Sequence, residues 1–417
     1  MNLKLLKTLI TNVSVALILS SCGGDTDSNE DLADTRVYKQ NSPYSNVIAS
    51  CTRAIEETSS CALETLPVLG MDFNDPGIPQ IMDRVVVSHD WMGERFEELL
   101  YEMPPQMLSL FKGITAIVID ADIRPAYYTV NTGAIYLDPA FLWLSVEEKR
   151  TINPKADYRA DFDDPLAFRH LQRYVKNGEP AYQWLSLTDN SSREMEDIVL
   201  LVARLLFHEL AHANDFIPPD SYDNLDPSNT VSAAVRNTSK RWLSSQLTDQ
   251  TPLTSETMFS LAEVMYSGGT PSIDDLEITA SEAGRAFKPD GAGDDYGYTS
   301  QFEDLAMLFE TSMMKYFFDA DYELAFTSVP ENSDFCDDYL IGWGVRNRLG
   351  DASVKDRARF TAEKILPNED FSDFFDNLEP PTEISGDWCM PEVNPQFDQQ
   401  KPRKYIVDHL DMFRPYL

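Results

Sequence analysis

Residues 208–212 have the sequence His-Glu-Leu-Ala-His, a pattern that can bind a metal ion and support hydrolysis. On a helix, His208 and His212 lie on one face, so both imidazoles can bind the same ion. Glu209 lies about 100° round the helix, near enough to take a proton from a metal-bound water without being a ligand. The pattern therefore predicts a hydrolytic zinc site.

The alternative is a chance match, in which the two histidines are hydrogen-bonded core residues. The segment around the motif argues against it. Residues 193–216 carry apolar side chains on most sides and predict a long buried helix. Two histidines and a glutamate are costly to bury there unless a partner compensates them. A bound Zn²⁺ would be that partner, and we expect one.

A hydrolytic zinc site needs three protein ligands and one open position. No third histidine lies close behind the motif, because Pro218 stands where the metzincin pattern requires one. Glu303 is the candidate, since it lies in the first turn of a predicted apolar helix. Two alternatives stay open. Ser300 and Glu303 also form a capping box, which could simply close that helix, and Glu263 or Glu310 could be the ligand instead.

A further spacing surrounds this candidate. A Tyr-Gly pair begins seven residues before Glu303 and an Ala follows three residues after it, at Tyr296, Gly297 and Ala306. With the His-Glu-x-x-His motif, this spacing resembles the gluzincin clan of zinc peptidases, and within it the catalytic domain of anthrax lethal factor and related bacterial proteins. The resemblance covers residues 85–320, with specific motifs only in 208–212 and 296–306.

The resemblance implies that Glu303 is the third zinc ligand. It implies that the hydroxyl of Tyr296 stabilises the oxyanion, and Tyr298 is close enough in sequence to replace it. It also implies that a strand such as Ala134–Leu137 edges the cleft and pairs with an extended substrate.

This chain departs from the family at one position. Some gluzincins have an Asp four residues after the ligand Glu, where it supports a zinc-binding histidine, but Met307 stands there in this chain. The supporting acid must then come from elsewhere, and Asp215 and Asp304 are the candidates.

The N-terminus has the pattern of an export signal. Two lysines precede an apolar run from Leu9 to Leu19, and small residues lead to Cys22. This resembles a bacterial lipobox, which predicts that residues 1–21 are removed and that Cys22 carries lipid. Gly23 favours an outer-membrane location in the cell envelope. The alternative is a plain secreted protein in which Cys22 is incidental.

Besides the lipidated Cys22, four cysteines remain after such cleavage, and an even number in an oxidising compartment predicts two disulfides. Nearness in sequence favours one of the three pairings, Cys51 with Cys61 and Cys336 with Cys389. None has Cys-x-x-Cys spacing, so a thiolate metal site is not expected.

The formal net charge of the 417-residue chain is −35, which repels nucleic acid and anionic lipid headgroups. Part of this charge lies in residues 290–295, whose spacing is not that of an EF-hand, so we expect a solvated loop there. Residues 145–190 are mixed and are expected to wrap the surface. His170 in this stretch is expected to be an ordinary surface or hydrogen-bonding histidine rather than a metal ligand.

The predicted fold is α+β and zincin-like. A small mixed sheet from residues 84–137 covers the active-site helix, and the C-terminal half is mainly helical. Residues 22–50 are expected to form a flexible tether, 51–330 the metallopeptidase domain, and 331–417 a helical extension packed on that domain.

The predicted function is that of a zinc-dependent endopeptidase-like hydrolase, anchored to the envelope by lipid and acting on a peptide or protein. A metal-activated water attacks, and Glu209 is the general base. Two alternatives are a zinc-binding but non-proteolytic envelope or adhesion lipoprotein, and a structural lipoprotein with a chance motif.

Overall fold

The computed structural model describes residues 32–54, 56–160, 162, 165–330, 335–389 and 391. The predicted signal peptide and the lipidation site Cys22 lie outside the described residues. Helices and strands alternate along the described chain, so the α+β class is confirmed. In the part of the chain that the structure describes, no helix is long and apolar enough to cross a membrane.

The first sheet lies in the N-terminal third and has mixed strand directions, as predicted. Its five strands are β1 (Arg36–Val37), β2 (Val85–Val87), β3 (Ile117–Ile119), β4 (Tyr127–Thr129) and β5 (Ala134–Leu137). Their spatial order is β1-β2-β3-β5-β4, in which β2, β3 and β5 are parallel and the outer strands are antiparallel. The three parallel strands are runs of buried apolar residues, as expected for strands covered on both faces.

Strand β5 is not at the edge of this sheet, so the prediction that Ala134–Leu137 borders the cleft is wrong. Strand β4 covers its outer side, where the rings of Tyr127 and Tyr136 stack with centroids 4.5 Å apart. The turn between the two strands uses Gly133 at a φ of +67°. Strand β4 was missed because three residues are too few for an alternating pattern.

Within the described residues, eight helices have eight residues or more. They are α1 (Asp90–Glu102), α2 (Met195–Phe216), α3 (Val231–Thr238), α4 (Leu243–Gln250), α5 (Glu256–Ser267), α6 (Ala280–Phe287), α7 (Gln301–Phe318) and α8 (Lys355–Ile365). Shorter helices span Ile48–Cys51, Leu69–Asp72, Ile78–Met82, Val146–Lys149, Ile273–Glu277 and Ser372–Asp376. A 3₁₀ helix spans Pro105–Gly113.

Helices α2 and α7 pack against each other in the core, and this contact positions the motif. The ring of Phe207, the residue before the motif, contacts the ring of Phe309 edge-on, with centroids 6.1 Å apart. It stacks on the ring of Phe317, with centroids 5.9 Å apart. All three are aromatic side chains whose burial strongly favours association of the two helices. The packing therefore fixes how α2 is rotated relative to α7.

A second sheet, wholly antiparallel, was not predicted. Its strands are β6 (Phe168–Lys176), β7 (Glu179–Pro180), β8 (Asp321–Ser328), β9 (Ile341–Arg346) and β10 (Thr382–Glu383), in the order β10-β9-β8-β6-β7. Strand β6 pairs with β8 from Phe168 to Val175. The prediction that residues 145–190 wrap the surface is therefore wrong for β6. His170 on this strand is buried at 4 % exposure, and it is the hydrogen-bonding rather than the surface histidine of the two predicted alternatives.

The C-terminal region contributes to this same sheet. Residues 331–417 were expected to be a helical extension, but β9 and β10 lie there as well as helix α8. Side chains of α8 belong to the main hydrophobic core, so the expected packing on the same domain is observed. The expected disulfides are present: Cys51 bonds Cys61, and Cys336 bonds Cys389.

Residues 32–50 belong to the folded domain, which corrects that part of the tether predicted over 22–50, and residues 22–31 lie outside the described residues. Strand β1 pairs with β2, and the side chains of Leu32, Val37 and Ile48 are buried against the first sheet. The few apolar residues of this segment are spaced so that they cover a sheet face, which its polar composition concealed.

Candidate metal centre

The motif lies in the buried C-terminal half of helix α2, as predicted. His208 and His212 share one face of the helix, and their Nε2 atoms are 3.2 Å apart. They are 4 % and 2 % exposed, so neither imidazole is a solvated surface group.

Glu303 reaches both imidazoles from helix α7. Its Oε2 is 3.0 Å from Nε2 of His208 and 3.3 Å from Nε2 of His212. The helix cap predicted from the sequence is also present, because the Ser300 hydroxyl oxygen accepts a hydrogen bond from the backbone N–H of Glu303 at 3.2 Å. The cap uses the backbone of Glu303 and leaves its carboxylate to the histidines. The other candidate on α5, Glu263, is exposed.

These three atoms form a ligand triangle: Nε2 of His208, Nε2 of His212 and Oε2 of Glu303. Its sides are 3.0, 3.2 and 3.3 Å. Zinc bonds of about 2.0–2.1 Å at tetrahedral angles place ligand atoms about 3.3 Å apart, so the triangle has the size of three corners of a zinc site. Among the described residues, this is the one group of His, Cys, Asp and Glu side chains arranged to hold a metal ion.

The hydrogen bonds around the triangle also favour a cation at its centre. Nδ1 of His208 lies 3.1 Å from Oε2 of Glu310, so it donates its hydrogen there whether the ring is neutral or protonated. Nε2 faces another imidazole and a carboxylate oxygen, and it offers a lone pair to a metal once its own hydrogen has left. Burial alone would lower the pKa of His208, but hydrogen bonds to Glu303 and Glu310 raise it to about 10. Positive charge is therefore strongly favoured at this point.

The pKa of Glu303 changes in the complementary direction. Burial would raise it, but His212 and His208 lower it well below its usual range. The carboxylate is thus held ionised, which is the form that binds a metal.

Glu209 lies in the same buried stretch and is 2 % exposed. Its Oε2 has no hydrogen-bond partner among the described residues, and burial raises the pKa of the carboxyl group. An acid with a raised pKa and an oxygen free to act can accept a proton and return it, as a general base must.

The two candidate tyrosines lie on opposite sides of the turn before α7. The ring of Tyr296 is 6.3 Å from that of His208, between centroids. The hydroxyl of Tyr298 donates to Oδ2 of Asp290 at 3.1 Å, and its ring packs between Phe259 and Phe287. Tyr296 is therefore the tyrosine beside the imidazoles, and Tyr298 is engaged elsewhere.

Buried acids hold this turn, so the prediction of a solvated loop at 290–295 is wrong. Oδ1 of Asp294 accepts from the backbone N–H of Tyr296 at 2.7 Å, and its Oδ2 accepts from the hydroxyl of Tyr322 at 2.7 Å. Oδ2 of Asp295 accepts from the hydroxyl of Tyr266 at 3.0 Å. Both carboxyl groups are fully buried. Burial and then the charge of its neighbour raise the pKa of Asp294 to about 8.

The acids expected to support a histidine ligand do other work. Asp304 pairs with the guanidinium of Arg357 on helix α8. Oδ1 of Asp215 accepts from the backbone N–H of Ser244 at 2.8 Å. Glu310 contacts His208 instead, although the sequence suggested it only as an alternative ligand. Its spacing of two helical turns from Glu303 was the available signal, because residues so spaced share a face.

The chain matches no protein-family model, no curated protein and no solved structure. What the site can do therefore follows from its own geometry.

Proposed function

We propose that this protein is a zinc-dependent peptidase with a zincin-like arrangement of sheet and active-site helix. The observation that supports this most is the ligand triangle, whose size and atom types fit zinc, beside a buried glutamate with an uncommitted oxygen. His208, His212 and Glu303 would hold the ion. Zinc bound there would polarise a scissile carbonyl and acidify a water molecule.

The remaining steps belong to side chains of this chain. Glu209 takes the proton of the attacking water and returns it to the leaving amine. The hydroxyl of Tyr296, whose ring lies beside that of His208, donates to the oxyanion that develops on the carbonyl. Strand β4 offers the outer edge of the first sheet to an extended peptide, a role first assigned to β5.

The proposal includes an attachment to the bacterial cell envelope, with the outer membrane as the expected location. Its support is the sequence alone: the apolar run before Cys22 and the small residues that lead to it. The two disulfides fit an oxidising compartment outside the cytoplasm.

A zinc-binding but non-proteolytic lipoprotein is the second candidate. The burial of the site favours it, because the ligands and Glu209 are all at most 4 % exposed. The uncommitted Oε2 of Glu209 favours the peptidase, because a protein that only binds zinc has no use for a base there.

The deciding experiment compares the purified protein with Glu209→Gln, using metal analysis and a mixed fluorogenic peptide library. We expect one zinc per chain in both proteins, and hydrolysis that is about 10²–10⁴-fold slower in the variant. The matched control is Glu263→Gln, an exposed glutamate on α5, which should change neither quantity.

The outcomes separate the candidates. Absence of stoichiometric zinc in the parent protein would refute the zinc site and leave a chance motif. Stoichiometric zinc without cleavage of any peptide would refute the peptidase and favour the binding protein. Equal rates in the parent and Glu209→Gln would refute the general base.

A further inference from the structure

Glu310 contacts the ligand triangle from the side away from its centre. Its Oε2 accepts from Nδ1 of His208 at 3.1 Å, and its Oε1 accepts from the hydroxyl of Tyr174 at 2.7 Å. The guanidinium of Arg204 lies 3.8 Å from the same Oε1. The side chain is 1 % exposed, so these groups replace the water that an exposed carboxylate would have.

The partners of Glu310 come from two other elements. Arg204 and His208 are one turn apart on α2 and lie on the same face, whereas Tyr174 belongs to strand β6. Arg204 also has a hydrogen bond to Tyr182, which lies just after strand β7 of the second sheet. The carboxylate of Glu310 on α7 therefore also contacts α2 and the second sheet, on the side of the triangle away from its centre.

We propose that Glu310 is a positioning residue of the metal centre: by accepting the Nδ1 hydrogen of His208, it holds the ring with the Nε2 lone pair directed into the ligand triangle. A histidine can carry its hydrogen on either nitrogen, and only the Nδ1–H form leaves Nε2 able to bind a metal. The inference rests on the proposed zinc function and adds a residue to it.

The two histidines differ in this respect. Nδ1 of His212 has no hydrogen-bond partner in the described part of the chain. The nearby Asp215 gives one oxygen to Ser244, and its Oδ2 also has no partner there. At Nδ1, a carboxylate held by Tyr174 and Arg204 orients His208, whereas no hydrogen bond from the described residues orients His212. The network at Glu310 is therefore specific to one ligand.

The test is the zinc dissociation constant of Glu310→Gln, measured by competition with a chromophoric chelator. Glutamine preserves the shape but not the charge, and we expect zinc to bind about 10–100-fold more weakly. Thr311→Val is the matched control. It changes the next buried residue on α7, whose hydroxyl bonds only the backbone of its own helix, so the dissociation constant should not change.

Tyr174→Phe keeps the carboxylate and removes one of its donors, so it serves if Glu310→Gln does not fold. We expect zinc to bind about fivefold more weakly, the effect of one ordinary hydrogen bond. A Glu310→Gln protein that folds and binds zinc as tightly as the parent would overturn the inference. An unchanged constant in Tyr174→Phe would overturn it if Glu310→Gln is unfolded. Failure of the parent to bind zinc would instead refute the proposed function, so the two failures are distinguishable.

Discussion

The turn before α7 and helix α7 form one segment, and the two sides of this segment differ in their electrostatics. On the side facing α2, Glu303 meets two imidazoles with no fixed cation. On the side facing α8, the adjacent Asp304 meets the guanidinium of Arg357 in a buried ion pair. On the side facing α2, the lone pairs of several side chains converge on one point. On the side facing α8, the protein itself supplies both charges of the pair.

The same division runs through the turn. Tyr296 lies beside His208, whereas Tyr298 gives its hydroxyl to Asp290. The turn rests closely on the helix, because a Cβ on Gly297 would lie 3.2 Å from Cα of Asp304. A shift of one or two residues in this segment therefore separates groups suited to chemistry from groups that stabilise the fold.

The largest expected effect is the loss of zinc from Glu303→Gln. An amide is a poor zinc ligand, and the two histidines alone leave an incomplete site, so stoichiometric zinc should be absent after dialysis. Asp304→Asn, one residue further, should keep one zinc per chain, measured by metal analysis at a temperature where the variant is folded. Retention of zinc by Glu303→Gln would erase the contrast between the two sides.

The same control has its own expected effect. Asp304→Asn leaves the charge of Arg357 buried without its partner, which should lower the free energy of unfolding by about 3–5 kcal/mol. Urea unfolding measures this loss, and an unchanged unfolding midpoint would contradict the structural role assigned to that side.

An intermediate effect is expected from the tyrosines. Tyr296→Phe should slow peptide hydrolysis by about 10²–10³-fold, because one oxyanion donor is lost, with zinc content unchanged. Tyr298→Phe should leave the rate unchanged and lower the free energy of unfolding by about 1 kcal/mol, the value of its bond to Asp290. Steady-state kinetics and urea unfolding measure these effects. Slower hydrolysis in Tyr298→Phe alone would reverse the assignment of the two tyrosines.

The last prediction concerns the pH dependence of stability and the buried acid beneath the turn. Burial and the charge of Asp295 raise the pKa of Asp294 to about 8, from an ordinary 3.8 in the unfolded chain. The folded protein therefore holds this proton between about pH 4 and pH 8 while the unfolded chain has released it, so this group makes stability fall as pH rises through that window. His170, Tyr322 and the backbone of Tyr296 also face it.

Asp294→Asn removes this dependence, because the amide resembles the protonated acid and cannot ionise. Relative to the parent, the variant should gain stability from pH 5 to pH 8, by at most about 1.4 kcal/mol per pH unit. Urea unfolding at pH 5, 6.5 and 8 measures the difference. A difference that stays constant over this range would contradict the raised pKa.

Local patterns predicted much of this molecule. Helix α2, helix α7 with its Ser300 cap, and strand β5 lie within a few residues of their predicted positions, because apolar periodicity, turn glycines and capping residues act locally. The disulfide pairing followed from nearness in sequence. The meeting of Glu303 with both imidazoles also agrees with the spacing of the motif residues.

What the sequence concealed depends on contacts between distant segments. Strand β6 is buried only because β8 pairs with it, and no local pattern reveals a partner that far away. Glu310 was visible as an acid on an apolar face, but its rotation toward His208 depends on how α7 packs on α2. His170 was judged by its polar neighbours in sequence, whereas its environment is set by Asp295 and Tyr266.

The pairing of β6 with β8 has a consequence for how the protein is made. Arg173 on β6 and Glu323 on β8, which bond each other, are 150 residues apart, and His208 and Glu303 are 95 residues apart. A growing chain that ends before residue 300 carries the histidines without the acid that joins them, and half of a sheet without its partner. Long-range closure of this kind is slow and comes late in folding. An unfinished copy therefore lacks the complete ligand triangle, and the proposed hydrolytic activity would arise only after α7 and β8 have been synthesised.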